Sequence, residues 1–135
     1  MEIKVRDYME DDMESVNAIL SEAFSCEKSS STKGDFREIV ATADGRVVGY
    51  LLLTKVFNPI RNYYYCLVDY VCVSKDYQGM SVGKHLLDYA YDVSKEEGAR
   101  YLQLTCSRFR LAAHKLYEKC NFMKRDSDIY RKEIV

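Results

Sequence analysis

Val73-Ser-Lys-Asp-Tyr-Gln-Gly-Met-Ser-Val-Gly-Lys-His-Leu-Leu87 joins two patterns of different period. Upstream, Val68 to Val73 alternates apolar and other residues, as a strand does. Downstream, Val82, Leu86, Leu87 and Ala90 recur at helical spacing. Between them lie Gln78, Gly79, Met80, Ser81, Val82 and Gly83, a turn of mostly small residues. A strand, a small-residue loop and a helix in that order aim backbone N–H groups and a positive helix end at one spot, which suits a phosphate.

Two phosphate motifs are excluded by spacing. Gly79 and Gly83 do not supply the G-x-G-x-x-G of dinucleotide-binding turns. A P-loop needs four residues between its glycines and a Ser or Thr after the Lys. Here three intervene and His85 follows Lys84, so the magnesium-binding hydroxyl of ordinary nucleotide hydrolysis is missing.

The turn resembles the acyl-CoA loop of the GNAT N-acetyltransferase superfamily, Gln/Arg-x-x-Gly-x-Gly/Ala, with Ser81 where that family usually has Gly. A second block, Ala113-His-Lys-Leu-Tyr-Glu-Lys-Cys-Asn-Phe122, resembles the family's Ala-x-x-x-Tyr-Glu-x-x-Gly-Phe segment. Both blocks, in this order and with a strand between them, are matched. The resemblance implies an α/β fold: a mixed, mostly antiparallel sheet flanked by helices, its central strand pair splayed for CoA. It also implies an acyltransferase moving an acetyl group from acetyl-CoA to a primary amine of a small molecule or peptide, by direct attack in a ternary complex, without a metal. The contrasting reading is a non-catalytic acyl-CoA-binding or partner-binding module on the same fold.

Bulk properties narrow the field. At 135 residues, 47% of them apolar with a single proline, the chain is expected to form one ordered domain over residues 1–135. A net charge of −1 offers no broad basic field for nucleic acid or an anionic membrane. The first residues carry no apolar run for a signal peptide, and no window approaches the ~20 apolar residues of a membrane span. The five cysteines, Cys26, Cys66, Cys72, Cys106 and Cys120, include no C-x-x-C pair and read as reduced thiols in a cytoplasmic protein. With two distant histidines and no thiolate pair, no zinc site is expected. A homodimer is compatible with these properties.

The remaining pattern reads as βα(α)βββαβαββ. Ile3 to Arg6 alternates as a first strand, and Val16, Ile19, Leu20 and Ala23 form a helical stripe. Ser25 to Gly34 is either a loop or a poorly formed second helix. Strands over 36–42 and 46–57 flank the Ala43-Asp44-Gly45 hairpin turn. Residues 58–62 break the chain before the longest strand, 63–73. A helix over 82–96, a strand over 101–105, a helix over 111–120 and two short strands near 122–125 and 129–134 complete the order, with Gly98 and Asn121 as helix stops.

The resemblance assigns cofactor contacts to the backbone of Val71 and Val73 and to Gln78, Gly79, Met80, Ser81, Val82, Gly83 and Lys84. The N–H at Val71 would also steady the developing oxyanion. Both valines serve equally as core residues, and Lys84 serves equally as a solvated helix lysine. A left-handed backbone at Ser81 would cost on the order of 1 kcal/mol.

An acceptor amine with pKa near ~10.4 is neutral only about once in 2,000 at pH 7, a handicap of about 4–5 kcal/mol that a base removes. Asp69, two residues before Val71 and four before Val73, is expected on their face of the strand. It is the candidate base, with substrate anchor or structural carboxylate as alternatives. Leu67 stands where protein-acetylating relatives often place a glutamate. Tyr117 matches the family's tyrosine near the CoA sulfur and is the candidate proton donor; packing under the sheet is the alternative. Arg110 replaces the asparagine many relatives carry, and Arg108 and Arg110 either meet CoA phosphates or an acidic substrate, or lie free in a loop. His114 lines the cleft or is a satisfied, partly buried histidine. Tyr63, Tyr64 and Tyr65 line a pocket or are ordinary strand content. Glu10, Asp11, Asp12 and Glu14 attract a cation or simply complement a helix start.

Overall fold

The computed structural model describes residues 1–29 and 34–135. Its described elements run β1 (Ile3–Asp7), α1 (Met13–Phe24), β2 (Phe36–Ala43), β3 (Arg46–Asn58), β4 (Tyr63–Val73), α2 (Val82–Glu96), β5 (Ala99–Leu104) and α3 (Leu111–Lys119). Single 3₁₀ turns precede α1 and follow β4. The sheet order is β1-β2-β3-β4-β5, antiparallel except for the parallel pair β4–β5.

Local chemistry accounts for the joints. Asp44 and Gly45 are both left-handed, with φ of 49° and 85°, the backbone a two-residue hairpin demands. Asn58 Oδ1 accepts from the backbone N–H groups of Ile60 and Arg61, closing the β3–β4 turn. Asp12 is buried and clamped in a two-pronged pair by Arg6 at 2.7 and 2.9 Å while accepting from the Met9 N–H. The Arg6 hydrogen bond holds its carboxyl below the usual range. That acid therefore serves the helix start rather than a substrate.

Two apolar layers sandwich the sheet. α1 lays Val16, Ile19 and Leu20 against Val40, Tyr50 and Cys72 on one face. On the other, Val82, Leu86, Leu87, Ala90 and Val93 of α2, with Tyr117 of α3, meet Ile39, Leu51, Leu53, Cys66 and Val68. Gly49 lets β3 pass close under α2, where a Cβ would sit 2.9 Å from Val82 Cγ1.

Three expectations need correction. Ala23 is exposed, and Phe24 takes its place against the α1 face. β5 begins at Ala99, not at residue 101, because Tyr64 already pairs with Ala99. For the Ser25–Gly34 segment the described part is irregular, in keeping with the loop alternative, and residues 30–33 lie outside the described residues. The two strands expected near 122–125 and 129–134 are not formed. Phe122 is held by α3, its N–H on the Tyr117 carbonyl and its ring 6.1 Å from the Tyr117 ring. Beyond it, Met123, Ile129, Tyr130 and Ile134 are exposed and find no sheet to join.

Candidate active site

β4 parts from both neighbours at one place. Its register with β3 jumps from Leu52↔Asp69 to Tyr50↔Cys72, so Tyr70 and Val71 stand opposite the single residue Leu51. Tyr70 adopts φ 56° to make this bulge. On the other side, pairing with β5 ends at Val68↔Leu104. From Asp69 to Val73, then, the β5-facing edge of β4 has no strand partner among the described residues. An amide-rich ligand can add itself to such an edge.

The bulge corrects the expected placement of Asp69. Val68 pairs with Leu53 and packs with α2, whereas Asp69 pairs with Leu52, which packs on the α1 side. The extra residue then reverses the alternation, and Val71 and Val73 return to the α2 face. Asp69 and the two valines therefore occupy opposite faces, and Asp69 is exposed.

The loop after β4 is built from backbone. Gln78 Nε2 donates to the Val73 carbonyl at 3.2 Å, tying the loop to the strand it leaves. Gly79 and Ser81 are both left-handed, with φ of 77° and 67°. The N–H groups from Gly79 to Lys84 make no backbone hydrogen bond among the described residues. The first to close is that of His85, on the Ser81 carbonyl at 3.1 Å. His85 Nδ1–H also donates there, at 2.7 Å. Val82 and Gly83 are buried, and a Cβ on Gly83 would sit 2.7 Å from Leu116 Cδ2. Gly83 thus lets the start of α2 dock on α3, a packing duty beside the one expected of it. Lys84 turns along its own helix to Asp88, 2.6 Å away, whose hydrogen bond raises the Lys84 pKa. Met80 is exposed at the loop's tip.

Tyr117 is buried in the α2-side core, with its ring 6.1 Å from that of Phe122. Burial raises its phenol above the ordinary value, and Cys106 adds to this while Arg110 opposes it. His114 donates Nε2–H to the Ser107 carbonyl at 2.8 Å, so it closes the β5–α3 loop. Arg108 pairs with Asp128 at 2.9 Å. Tyr63 and Tyr65 both lie against Tyr101, the latter ring stacked on it at 5.0 Å. Burial pushes the Cys72 thiol up to about 12, which leaves it inert as a nucleophile near neutral pH.

Three residues join this gap without having been singled out together in the sequence. Phe24, at the end of α1, meets Tyr70 of the bulge edge-on at 5.3 Å. Arg110, the N-cap of α3, places its guanidinium carbon 5.2 Å above the Phe24 ring. Nothing in the pattern marks Tyr70, because the bulge uses neither Gly nor Asn. Arg110 was marked in the sequence by standing where many relatives carry an asparagine. Among the described residues, no group of three His, Cys, Asp or Glu side chains is placed to share a metal ion.

β4 and β5 are parallel, so the helices that follow them start at the same end of the sheet, where α/β proteins commonly hold ligands. Comparison with known proteins agrees with this arrangement. Residues 3–122 match the model of the acetyltransferase (GNAT) family, and the chain belongs to that family. It is an acyltransferase of the GNAT type, a family whose acetyl donor is acetyl-CoA. No curated protein sequence matches. Among solved structures, the chain is similar to a ribosomal-protein-alanine N-acetyltransferase from Brucella melitensis biovar Abortus 2308. Identity there is 20% over 99% of this chain and 100% of that one, with a TM-score of 0.85. A glucosamine-6-phosphate N-acetyltransferase from Arabidopsis thaliana superposes with a TM-score of 0.80, at 16% identity over 98% and 99% of the two chains. An aminoglycoside acetyltransferase from an uncultured soil metagenomic sample gives 0.87, at 15% identity over the whole of both. At these identities the likeness speaks for the fold.

Proposed function

We propose that this chain, acting as one domain over residues 1–135, transfers the acetyl group of acetyl-CoA to a primary amine of a small molecule or peptide. The observation that carries the reading is the unpaired β4 edge from Asp69 to Val73, continuous with a row of unpaired N–H groups from Gly79 to Lys84. The edge suits the pantetheine arm, through the backbone of Val71 and Val73. The loop, Gln78 through Lys84, suits the pyrophosphate. Here Lys84 contributes its backbone N–H, since its side chain serves Asp88.

The amine attacks the thioester directly. Cys66 and Cys72 are buried, and the Cys72 thiol is held far from ionisation, which disfavours an acetyl-enzyme. Asp69 is exposed on the α1 face, opposite the wall formed by the donor valines. That face is open to an acceptor, so Asp69 takes the amine's proton or anchors its ammonium. Tyr117 lies on the α2 side, where the sulfur leaves. The solved neighbours name acceptors as different as a ribosomal-protein alanine, a phosphorylated amino sugar and aminoglycosides. Their common chemistry supports an amine and selects none of them. The five free cysteines accord with a cytoplasmic setting, and no helix of the described residues is long and apolar enough to cross a membrane.

The test is thiol release from acetyl-CoA against a library of amines, peptides included, with the acetylated product identified by mass spectrometry. An amine-dependent release with a mass gain of one acetyl group is expected. Acetyl-CoA binding without turnover on any amine would leave the non-catalytic alternative standing.

A further inference from the structure

Arg110 breaks the local rules of its helix. An N-cap position favours Ser, Thr, Asp or Asn, and a cation there opposes the helix dipole. Arg110 makes no side-chain cap bond. It is exposed and has no carboxylate partner among the described residues, whereas Arg108 is paired with Asp128 and Lys84 with Asp88. It is instead laid across Phe24, which leans on Tyr70. Its charge reaches Tyr117 on α3 and the Cys72 thiol on β4, side chains that lie on opposite faces of the sheet. An unpaired cation is therefore held where β4 and β5 part.

Resting on the acetyl-transfer reading, we propose that Arg110 is a further catalytic residue, whose guanidinium holds the negative charge on the CoA sulfur as it leaves. The amine nitrogen forms its bond to the acetyl carbon. The carbon–sulfur bond breaks and its electron pair goes to sulfur. The nitrogen gives its proton to Asp69 or to water, and the thiolate waits beside Arg110 until it takes a proton from Tyr117 or solvent.

The chemistry needs such a cation. Burial raises the Tyr117 phenol, so passing its proton to a thiolate of parent pKa ~8.5 is more uphill than for a free phenol. Stabilising the charge itself requires no proton from the protein. The other titratable groups around the gap are Asp69, Tyr70 and Cys72 from β4, Cys26 after α1, Cys106 after β5, and Tyr117 and His114 from α3. None of these is a permanent cation, and His114 is engaged with Ser107.

The readout is the thiol pKa of bound CoA, followed by NMR of a ¹³C label on the carbon next to sulfur. It is titrated in complexes with the wild type, Arg110→Gln and Arg110→Lys. The wild type should lower this pKa by about one unit or more from its ordinary value. Arg110→Gln should restore it and slow turnover roughly ten- to a hundredfold, while Arg110→Lys should fall between. Equal thiol pKa values in the wild type and Arg110→Gln, with CoA bound to both, would overturn the proposal. Should Arg110→Gln fail to fold, the wild type still decides, because a bound thiol at or above the value of free CoA overturns it as well. A wild type without CoA affinity removes the acetyltransferase reading, and this proposal with it.

Discussion

The helices α2 and α3 both begin at the end of a parallel strand, yet their starts are made differently. The start of α2 is backbone: Gly79 and Ser81 left-handed, Val82 and Gly83 buried, the Lys84 side chain turned away to Asp88. The start of α3 is a side chain: Arg110, making no side-chain cap bond, without a carboxylate partner among the described residues, and stacked on Phe24. A diphosphate is present throughout a reaction and is served by a fixed row of N–H groups. A thiolate exists only as the bond breaks and is served by a charge aimed at that moment. The first start should therefore govern donor affinity and the second turnover.

Gly83→Asp should break the first half of this contrast with the largest effect. The new side chain meets Leu116 and puts a buried negative charge beside the expected pyrophosphate. Donor affinity measured by calorimetry should fall roughly a hundredfold or more. Gly83→Ala separates the causes, since it adds the contact without the charge. Equal loss in both would assign Gly83 to packing alone. ATP should show no magnesium-dependent binding to either protein.

Asp69→Asn should lower turnover by about a hundredfold if Asp69 is the base, with donor affinity unchanged. A rise confined to the amine's Michaelis constant would make it an anchor instead. This prediction gains from the bulge, which separates Asp69 from the donor wall. A shared face would have let one substitution disturb both substrates.

That bulge also marks the limit of what could be read in advance. The Asp44-Gly45 hairpin, the strand 63–73 and the helix 82–96 were all legible, because turn residues and apolar period act locally. So was the left-handed Asn121, at φ 66°. Tyr70 was not: a large aromatic residue gives no hint of φ > 0, and one extra residue reverses every side chain after it. The strands expected at 122–125 and 129–134 run apolar residues and then charges without strict alternation, and no strand of the described sheet lies beside them. Gln78 to Ser81 was legible as a loop running into the start of α2, whereas the joining of Phe24, Tyr70 and Arg110 depends on three separate elements meeting.

Tyr117→Phe should have a smaller effect, roughly a tenfold loss of turnover with donor affinity kept. Burial places the phenol above its ordinary value, so it remains protonated across the neutral range. The pH–rate profile should accordingly show no break from Tyr117 below pH ~10. The loss should shrink further with an acyl donor carrying a better leaving group. An unchanged rate with acetyl-CoA would leave Tyr117 as a packing residue against Phe122.

The smallest effects are in stability, and there the two helix starts should diverge in function while agreeing in sign. Ser81 at φ 67° holds a conformation that costs a side chain on the order of 1 kcal/mol. Ser81→Gly should recover about that much in chemical denaturation while keeping or improving donor affinity, because the loop's work is done by its backbone. Arg110→Asn replaces a cation at an N-cap by a residue that can accept from the free N–H groups of the first turn, and should stabilise by about 0.5–1.5 kcal/mol. Its turnover, however, should fall roughly tenfold or more if the guanidinium meets the departing sulfur. The pair is decisive because both variants relax a local misfit, and only one of them should lose activity in doing so. If Arg110→Asn gains stability and keeps its rate, the cation at the start of α3 has no part in the chemistry, and the contrast between the two starts reduces to one of packing.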